Sequence, residues 1–177
     1  MKKRINTTLS YVVTALLALG SFSCGIYSFT GASIPAGTET FQVNFFENQA
    51  GNRPGSTVEP GLDQEFTIAL QDRILNLTNL SLTNSNGDLV YEGEIVEFSI
   101  TPMSATAEIK AAQNRLTMGV NLRYFNTKNE EDDFEKKYSF FYDFPADQQF
   151  YDVRDNALDE IFERITQDIF NETLAKW

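Results

Sequence analysis

The most constraining feature of the chain is the strict alternation between Ala111 and Phe125. Leu116, Met118, Val120, Leu122 and Tyr124 share one parity, and Gln113, Arg115, Thr117, Asn121 and Arg123 the other. Successive side chains on a strand point to opposite faces of a sheet, so period two sustained over this length predicts a half-buried strand and not a helix. Such a strand needs apolar cover on one face only, which excludes the doubly buried parallel sheets of α/β folds. The rest of the chain must supply that one-sided cover.

Other stretches repeat the signature. In Leu89 to Thr101 the apolar set begins as Leu89, Tyr91, Gly93 and Ile95 and then becomes Val96, Phe98 and Ile100, opposite Glu97, Ser99 and Thr101. A one-residue slip turns every later side chain to the other face, so a bulge or sharp bend is predicted near Ile95–Val96. Phe134, Tyr138, Phe140, Tyr142 and Phe144 alternate with Glu135, Lys137, Ser139, Phe141 and Asp143 as a final strand ended by Pro145. Thr38 to Phe46 predicts a first strand, with Phe41, Val43 and Phe45 inward. Leu80 and Leu82 suggest a brief strand before Asn84-Ser85-Asn86-Gly87-Asp88, whose Asn-Gly pair suits a hairpin turn.

Two segments carry helical spacing instead. Pro60 suits a first helical turn, and Leu62, Phe66, Ala69, Leu70, Ile74 and Leu77 follow at three- and four-residue steps. From Asp152, a candidate N-cap, Val153, Leu158, Ile161, Phe162, Ile165, Ile169 and Leu174 recur in the same manner towards Trp177. The order strand, helix, meandering strands, helix predicts an α+β two-layer sandwich: two helices packed on one face of a mostly antiparallel sheet of four or five strands. The acidic loop Asn126 to Asp133 lacks the spacing and the Gly of a calcium loop and is read as a solvated turn.

The amino terminus gives an address. Lys2, Lys3 and Arg4 precede an apolar run from Leu9 to Phe22, the pattern of a secretory signal and too short for a spanning helix. Cys24 follows it and is the one cysteine of 177 residues. A lone cysteine at this place reads as the lipidation site of a bacterial lipoprotein, with Ser21 and Phe22 departing from the usual box. An ordinary cleaved signal with Cys24 a bystander is the alternative. The predicted organisation is a signal peptide over 1–23, a lipidated N-terminus and tether over 24–37, and a single α+β domain over 38–177. Two or three acyl chains hold a protein on a bilayer essentially permanently, and Gly25 and the absence of an acidic cluster after Cys24 point to the periplasmic face of the outer membrane.

Without residues 1–23 the chain loses three of its 14 basic side chains and none of its 25 acidic ones, leaving a net charge of −14. That balance argues against nucleic acid as a partner. With no histidine and no second cysteine, zinc sites, catalytic triads and thiol nucleophiles lack their usual residues. A domain of this size buries roughly two-thirds of its unfolded surface without staples.

At this level of detail the chain resembles the LptE family of lipopolysaccharide-assembly lipoproteins. The likeness rests on Cys24-Gly25-Ile26-Tyr27-Ser28-Phe29, on Ile34-Pro35 before the first strand, and on Gln113-Asn114-Arg115-Leu116 leading a strand. It rests also on Tyr138-Ser139-Phe140-Phe141-Tyr142-Asp143, where Tyr142 looks inserted, and on the order of elements. The resemblance implies a noncatalytic role: a lipoprotein that plugs the outer-membrane β-barrel inserting lipopolysaccharide into the outer leaflet, and contacts lipopolysaccharide itself; the Cys24 thiol would carry a diacylglycerol and its freed amine a third acyl chain such as palmitate.

No cofactor or metal is expected. Arg115, Arg123 and Lys137 are candidates for binding lipopolysaccharide phosphates on the uncovered side of the sheet, since Arg forks take phosphate bidentately. The competing reading is that they offset Glu92, Glu135 and Asp143 on neighbouring strands. Phe46, Phe125 and Phe141 fall on the parity opposite the core and are candidate partner contacts, or lie under edge loops. Two further functions remain in view, a lipoprotein module capturing another lipid or a peptide, and an enzyme built on a carboxylate pair among Glu92, Glu94 and Glu97.

Overall fold

The computed structural model describes residues 34–103 and 112–175. Its strands are β1 (Thr40–Val43), β2 (Glu47–Asn48), β3 (Ser81–Leu82), β4 (Leu89–Met103), β5 (Gln113–Asn126) and β6 (Phe134–Pro145). The helices are α1 (Leu62–Leu77) and α2 (Phe150–Leu174). The sheet runs β3-β1-β4-β5-β6, with β2 also paired to β4, and both helices lie on one face. This is the expected α+β sandwich, its sheet mixed at one edge and antiparallel from β4 to β6.

The central ladder follows from the alternation. Leu116, Met118, Val120, Leu122 and Tyr124 of β5 are all buried beneath the helices. β4 pairs with β5 from Leu89 opposite Asn126 to Met103 opposite Gln113, and the register slips between Ile95 and Glu97. The bulge therefore sits at Val96, as predicted. It returns Phe98 to the core and keeps Glu97 on the same face as Glu92 and Glu94. Ile100, expected inward, is 41% exposed. α2 begins at the level of Phe98, whose ring meets Phe150 at 5.8 Å, and the next inward position lies past the helix end.

The first strand departs from its prediction. β1 stops at Val43, and the chain breaks phase before β2. Phe45 turns outward and Phe46 becomes fully buried. Glycine at position 93 makes the seat for Phe46: a Cβ there would lie 2.9 Å from Cε1 of Phe46 and 2.0 Å from the Asn121 carbonyl oxygen. Phe46 then stacks edge-on with Phe66 of α1 at 5.2 Å, and Phe66 with Phe162 of α2 at 5.7 Å. One aromatic chain thus ties the sheet to both helices.

The brief strand at Leu82 exists, but the expected hairpin does not. β3 and β4 both run parallel to β1 and flank it, so β1–α1–β3 is a crossover unit. Residues 83–88 carry the chain across β1. Asn86 does take the left-handed conformation, φ 54°. Gly87 passes so close over Gln42 that a Cβ would meet its backbone nitrogen at 2.8 Å.

Helix starts and helix contacts are equally local in origin. α1 starts at Leu62 behind Gly61, which has φ 81°, so Pro60 precedes the helix. α2 begins earlier than expected: Gln149 is the N-cap and Asp152 is the third residue, the two forming a reciprocal capping box. Arg154 in the first turns of α2 binds Glu59 at 2.6 Å and Glu65 at 2.9 Å, pinning α2 to the entrance of α1. Those two carboxylates raise the affinity of its guanidinium for its proton further. Arg73 of α1 reaches Thr166, Gln167 and the Glu163 carbonyl of α2.

Asp88 holds the β1 end together. Its Oδ2 accepts bonds from the amides of Glu39 and Thr40 and from the Thr40 hydroxyl, at 2.9 to 3.0 Å, while Oδ1 meets Lys128 at 2.8 Å. Lys128 first, and then the two amides, hold its carboxyl far below the usual carboxylate range. A depressed folded-state pKa gives stability that is present above the unfolded value and lost as pH falls. Asp88→Asn should therefore lower stability at neutral pH and flatten the decline that the parent shows below about pH 4. Urea melts of the two proteins across that range, if they fell in parallel, would count against this role for Asp88.

Candidate functional site: the open sheet face

The face of the sheet away from the helices is built from alternate residues of β4, β5 and β6. Pairing sets them in rows: Glu92–Arg123–Glu135, Glu94–Asn121–Lys137, Glu97–Gly119–Ser139, Ser99–Thr117–Phe141 and Thr101–Arg115–Asp143. Directly opposed side chains on one face lie within contact distance. Each basic residue on the face has a carboxylate.

Arg115 grips Asp143 with both arms of its fork, at 2.7 and 2.8 Å, and lies flat over the ring of Phe141, 3.6 Å from its centre. Asp143 raises the Arg115 pKa above its ordinary value. Arg123 bridges Glu92 at 3.2 Å and Glu94 at 2.9 Å, and Glu94 and then Glu92 push its pKa up. Lys137 folds across Gly119 to reach Glu97 at 2.9 Å. A Cβ at position 119 would sit 2.9 Å from the Lys137 Cε, so the lysine stem passes directly over the glycine. Arg53, from the loop after β2, joins the same Glu97 oxygen at 2.6 Å.

The three predicted basic residues do share the open face, yet the sheet does not gather them. Arg115 and Arg123 lie eight residues apart on one strand, about 27 Å at the usual rise. Lys137 is diagonal to Arg123, near the middle. Their geometry is that of charges neutralised along a sheet, each already bonded to carboxylate.

The aromatic candidates divide. Phe125 and Phe141 are partly exposed on the open face, 38% and 41%. Phe125 stands opposite Val90 at one end, and Phe141 carries Arg115 at the other. Phe46 is a core residue, and the exposed aromatic is Phe45 at 57%. The break after Val43 reversed the parity that the assignment rested on. Cys24 lies outside the described residues, as do residues 25–33 of the tether, 104–111 between β4 and β5, and Trp177.

Two features of the face had no sequence signal. Arg53 sits in a Gly- and Pro-containing loop whose path no periodicity predicts. The convergence of Arg53 and Lys137 on Glu97 depends on the Val96 bulge, which sequence located but whose effect on one carboxylate it did not reveal. Among the described residues no group of acidic side chains has the arrangement of a metal site, and no helix is long and apolar enough to cross a membrane.

Fold and face together define a class: a two-layer α+β domain with one sheet face roofed by helices and the other left as an ion-paired polar surface. The chain matches the family model described as LptE, lipopolysaccharide-assembly, over residues 38–173, and it belongs to that family. Among solved structures it is similar to PelC, a dodecamer, from Paraburkholderia phytofirmans, at 9% identity and TM-score 0.50, over 81% of this chain and 95% of that one. It is also similar to the hypothetical protein CT253 from Chlamydia trachomatis, at 12% identity and TM-score 0.47, over 78% of this chain and 99% of that one. A third, rare lipoprotein B from Shewanella oneidensis, shares 16% identity at TM-score 0.40, over 74% and 89% of the two chains. At these identities the likeness concerns fold alone. No curated protein sequence matches the chain.

The parity reversal at Phe45 and Phe46 has a direct test. Phe46→Ala should cost about 3–5 kcal/mol of stability, as other large aromatic truncations in a core do. Phe45→Ala should stay within about 0.5 kcal/mol. Equal losses in urea unfolding, or the reverse order, would restore the unbroken first strand.

Proposed function

We propose that this protein is a noncatalytic lipoprotein, anchored through Cys24 on the periplasmic side of the outer membrane, that plugs the lipopolysaccharide-assembly β-barrel and supports lipopolysaccharide delivery to the outer leaflet. The observation that carries this reading is the family match across residues 38–173, nearly the whole domain. The open face is compatible with it. The interior of a large outer-membrane barrel is polar, and a sheet face whose cations are each ion-paired, with Glu135 accepting from Asn121, enters such an interior without stranding a bare cation.

The anchor sets the position of the domain. Residues 1–23 act as signal peptide, and residues 24–37 form the lipidated N-terminus and tether. Its thirteen residues after Cys24 reach at most about 45 Å when extended, which raises the local concentration of the domain at the membrane that holds its barrel. Lipopolysaccharide phosphates meet Arg115, Arg123 and Lys137 only by displacing Asp143, Glu92, Glu94 or Glu97. We therefore assign the three first to neutralising the face and second to lipopolysaccharide. Phe125 and Phe141 are the partner-contact aromatics, and Phe46 takes no part.

Pull-down of the tagged full chain from detergent-solubilised outer membranes should recover one large β-barrel protein that stays bound at high salt. A stable monomer with no barrel, in cells whose lipopolysaccharide delivery survives its depletion, overturns the reading. The anchor is checked separately. Cys24→Ala protein should appear in the soluble periplasm, and unchanged membrane retention would argue against lipidation.

A further inference from the structure

The two edges of the sheet differ greatly. β3, at one edge, is two residues long, whereas β6, at the other, runs for twelve residues in unbroken antiparallel register with β5. The Ala146 amide donates to the Ala112 carbonyl at 3.1 Å, and these two residues extend the same register. In an antiparallel ladder hydrogen-bonded and non-bonded pairs alternate. It follows that the even-numbered residues of β6 bond to β5, and that the backbone groups of Glu135, Lys137, Ser139, Phe141 and Asp143 point outward. Among the described residues no hydrogen bond reaches the amides or carbonyls of these five.

A long bare edge invites another strand, and proteins commonly guard one with lysine. Here the ammonium groups of both lysines are already tied to carboxylates. Lys136 is bound to Glu172 of α2 at 2.5 Å, and Lys137 lies over Gly119 on the open face with Glu97. Beside the edge, α2 and β6 leave a cleft of about 730 Å³, lined by Lys136, Lys137, Tyr138 and Ser139 on the strand and by Asp168, Asn171 and Glu172 on the helix. Glu172 is held by Lys136 and by the Tyr138 hydroxyl at 2.8 Å. Asp168 is exposed and has no ion pair or hydrogen bond among the described residues.

We propose that the outer edge of β6 is a strand-addition site, filled by an extended segment of the barrel partner that carries a lysine or arginine opposite Asp168. This rests on the barrel partnership proposed above and names the surface that makes it. Five outward residues from Glu135 to Asp143 offer alternating donors and acceptors over about 27 Å, enough for a strand of ordinary length. The backbone ladder supplies attachment, and the α2 wall with its unpaired carboxylate selects side chains on alternate positions. The added strand lies next to the ion-paired face and leaves its pairs intact.

Residue-resolved amide hydrogen exchange on the full chain, alone and in the barrel complex purified with it, tests this. In the free chain the amides of residues 135, 137, 139, 141 and 143 should exchange fast, while those of 136, 138, 140 and 142 are already slow. In the complex the five fast amides should slow by at least about tenfold, as ladder formation demands. Ser139→Pro removes one outward amide and none from the β5–β6 ladder, a substitution edge strands accept. In its barrel complex the remaining four should return to free-chain rates. Recovery of the barrel with these amides still fast overturns the edge site alone, whereas failure to recover any barrel removes both readings. Slow amides in the free chain overturn it too, pointing to a second copy if they depend on concentration and to a segment of the same chain if they do not. Amides that stay slow in a folded Ser139→Pro complex assign the protection to plain coverage and not to strand pairing. If that variant does not fold, the unsubstituted chain still decides.

Discussion

The antiparallel ladder between β4 and β5 is the constraint on which the remaining structure depends. Fourteen paired positions, interrupted once at Val96, fix which side chains of both strands face the helices. Every apolar residue of β5 on that face then demands a roof, because leaving a leucine or methionine side chain exposed forgoes about 1.5–3 kcal/mol. α1 and α2 exist as stable helices largely to provide that roof: packing of an apolar stripe, more than helix propensity, is what holds short helices in water. The helices are cross-linked to each other by Arg73 and Arg154 at separate levels.

How much of this was legible in the sequence depended on how far each element's geometry was set by its own residues. The parity of β5, the slip in β4 and both helices could be read because burial repeats at a fixed period for several turns or pairs. The first strand could not, since its phase break lies in three residues, Asn44 to Phe46, and is driven by Gly93 more than forty positions away. Asn86 was legible as a residue of left-handed backbone, yet its partner strands were not, because β1 intervenes between β3 and β4 through a crossover that only the assembled sheet reveals. Asp152 is legible as a capping residue but stands three positions past the N-cap, because Gln149 serves as the cap. For the open face, sequence identified which basic residues share it and left two uses open. In the structure each of these cations is bonded to a carboxylate, Arg115 and Arg123 to residues of adjacent strands and Lys137 to Glu97 across Gly119.

The charge of the chain is distributed with the same asymmetry as its cover. On the open face, Glu92, Glu94, Glu97, Glu135 and Asp143 stand among Arg53, Arg115, Arg123 and Lys137, so that surface is close to neutral. Much of the surplus acid lies elsewhere, on the exposed side of α2 at Asp155, Asp159, Glu160, Glu163 and Asp168, and in the turn at Glu130 and Glu131. Helix and sheet faces therefore present different fields to any neighbour. A polar barrel interior favours the neutral face, while the acidic helix is repelled by anionic phosphates and by acidic walls alike.

This asymmetry also gives the β6 edge its direction. The edge lies where the two surfaces meet, with the neutral face on one side and the acidic wall of α2 on the other. A strand added there faces paired charges with its odd side chains and Asp168 with its even ones, or the reverse. The side chain next to Asp168 cannot be acidic without placing two carboxylates together in the cleft, and an apolar one would leave Asp168 partly desolvated and unanswered. A basic residue satisfies both conditions. The backbone alone would accept almost any extended segment, so in the proposed docking it is Asp168, the carboxylate of this cleft with no ion pair among the described residues, that would confer selectivity on the edge.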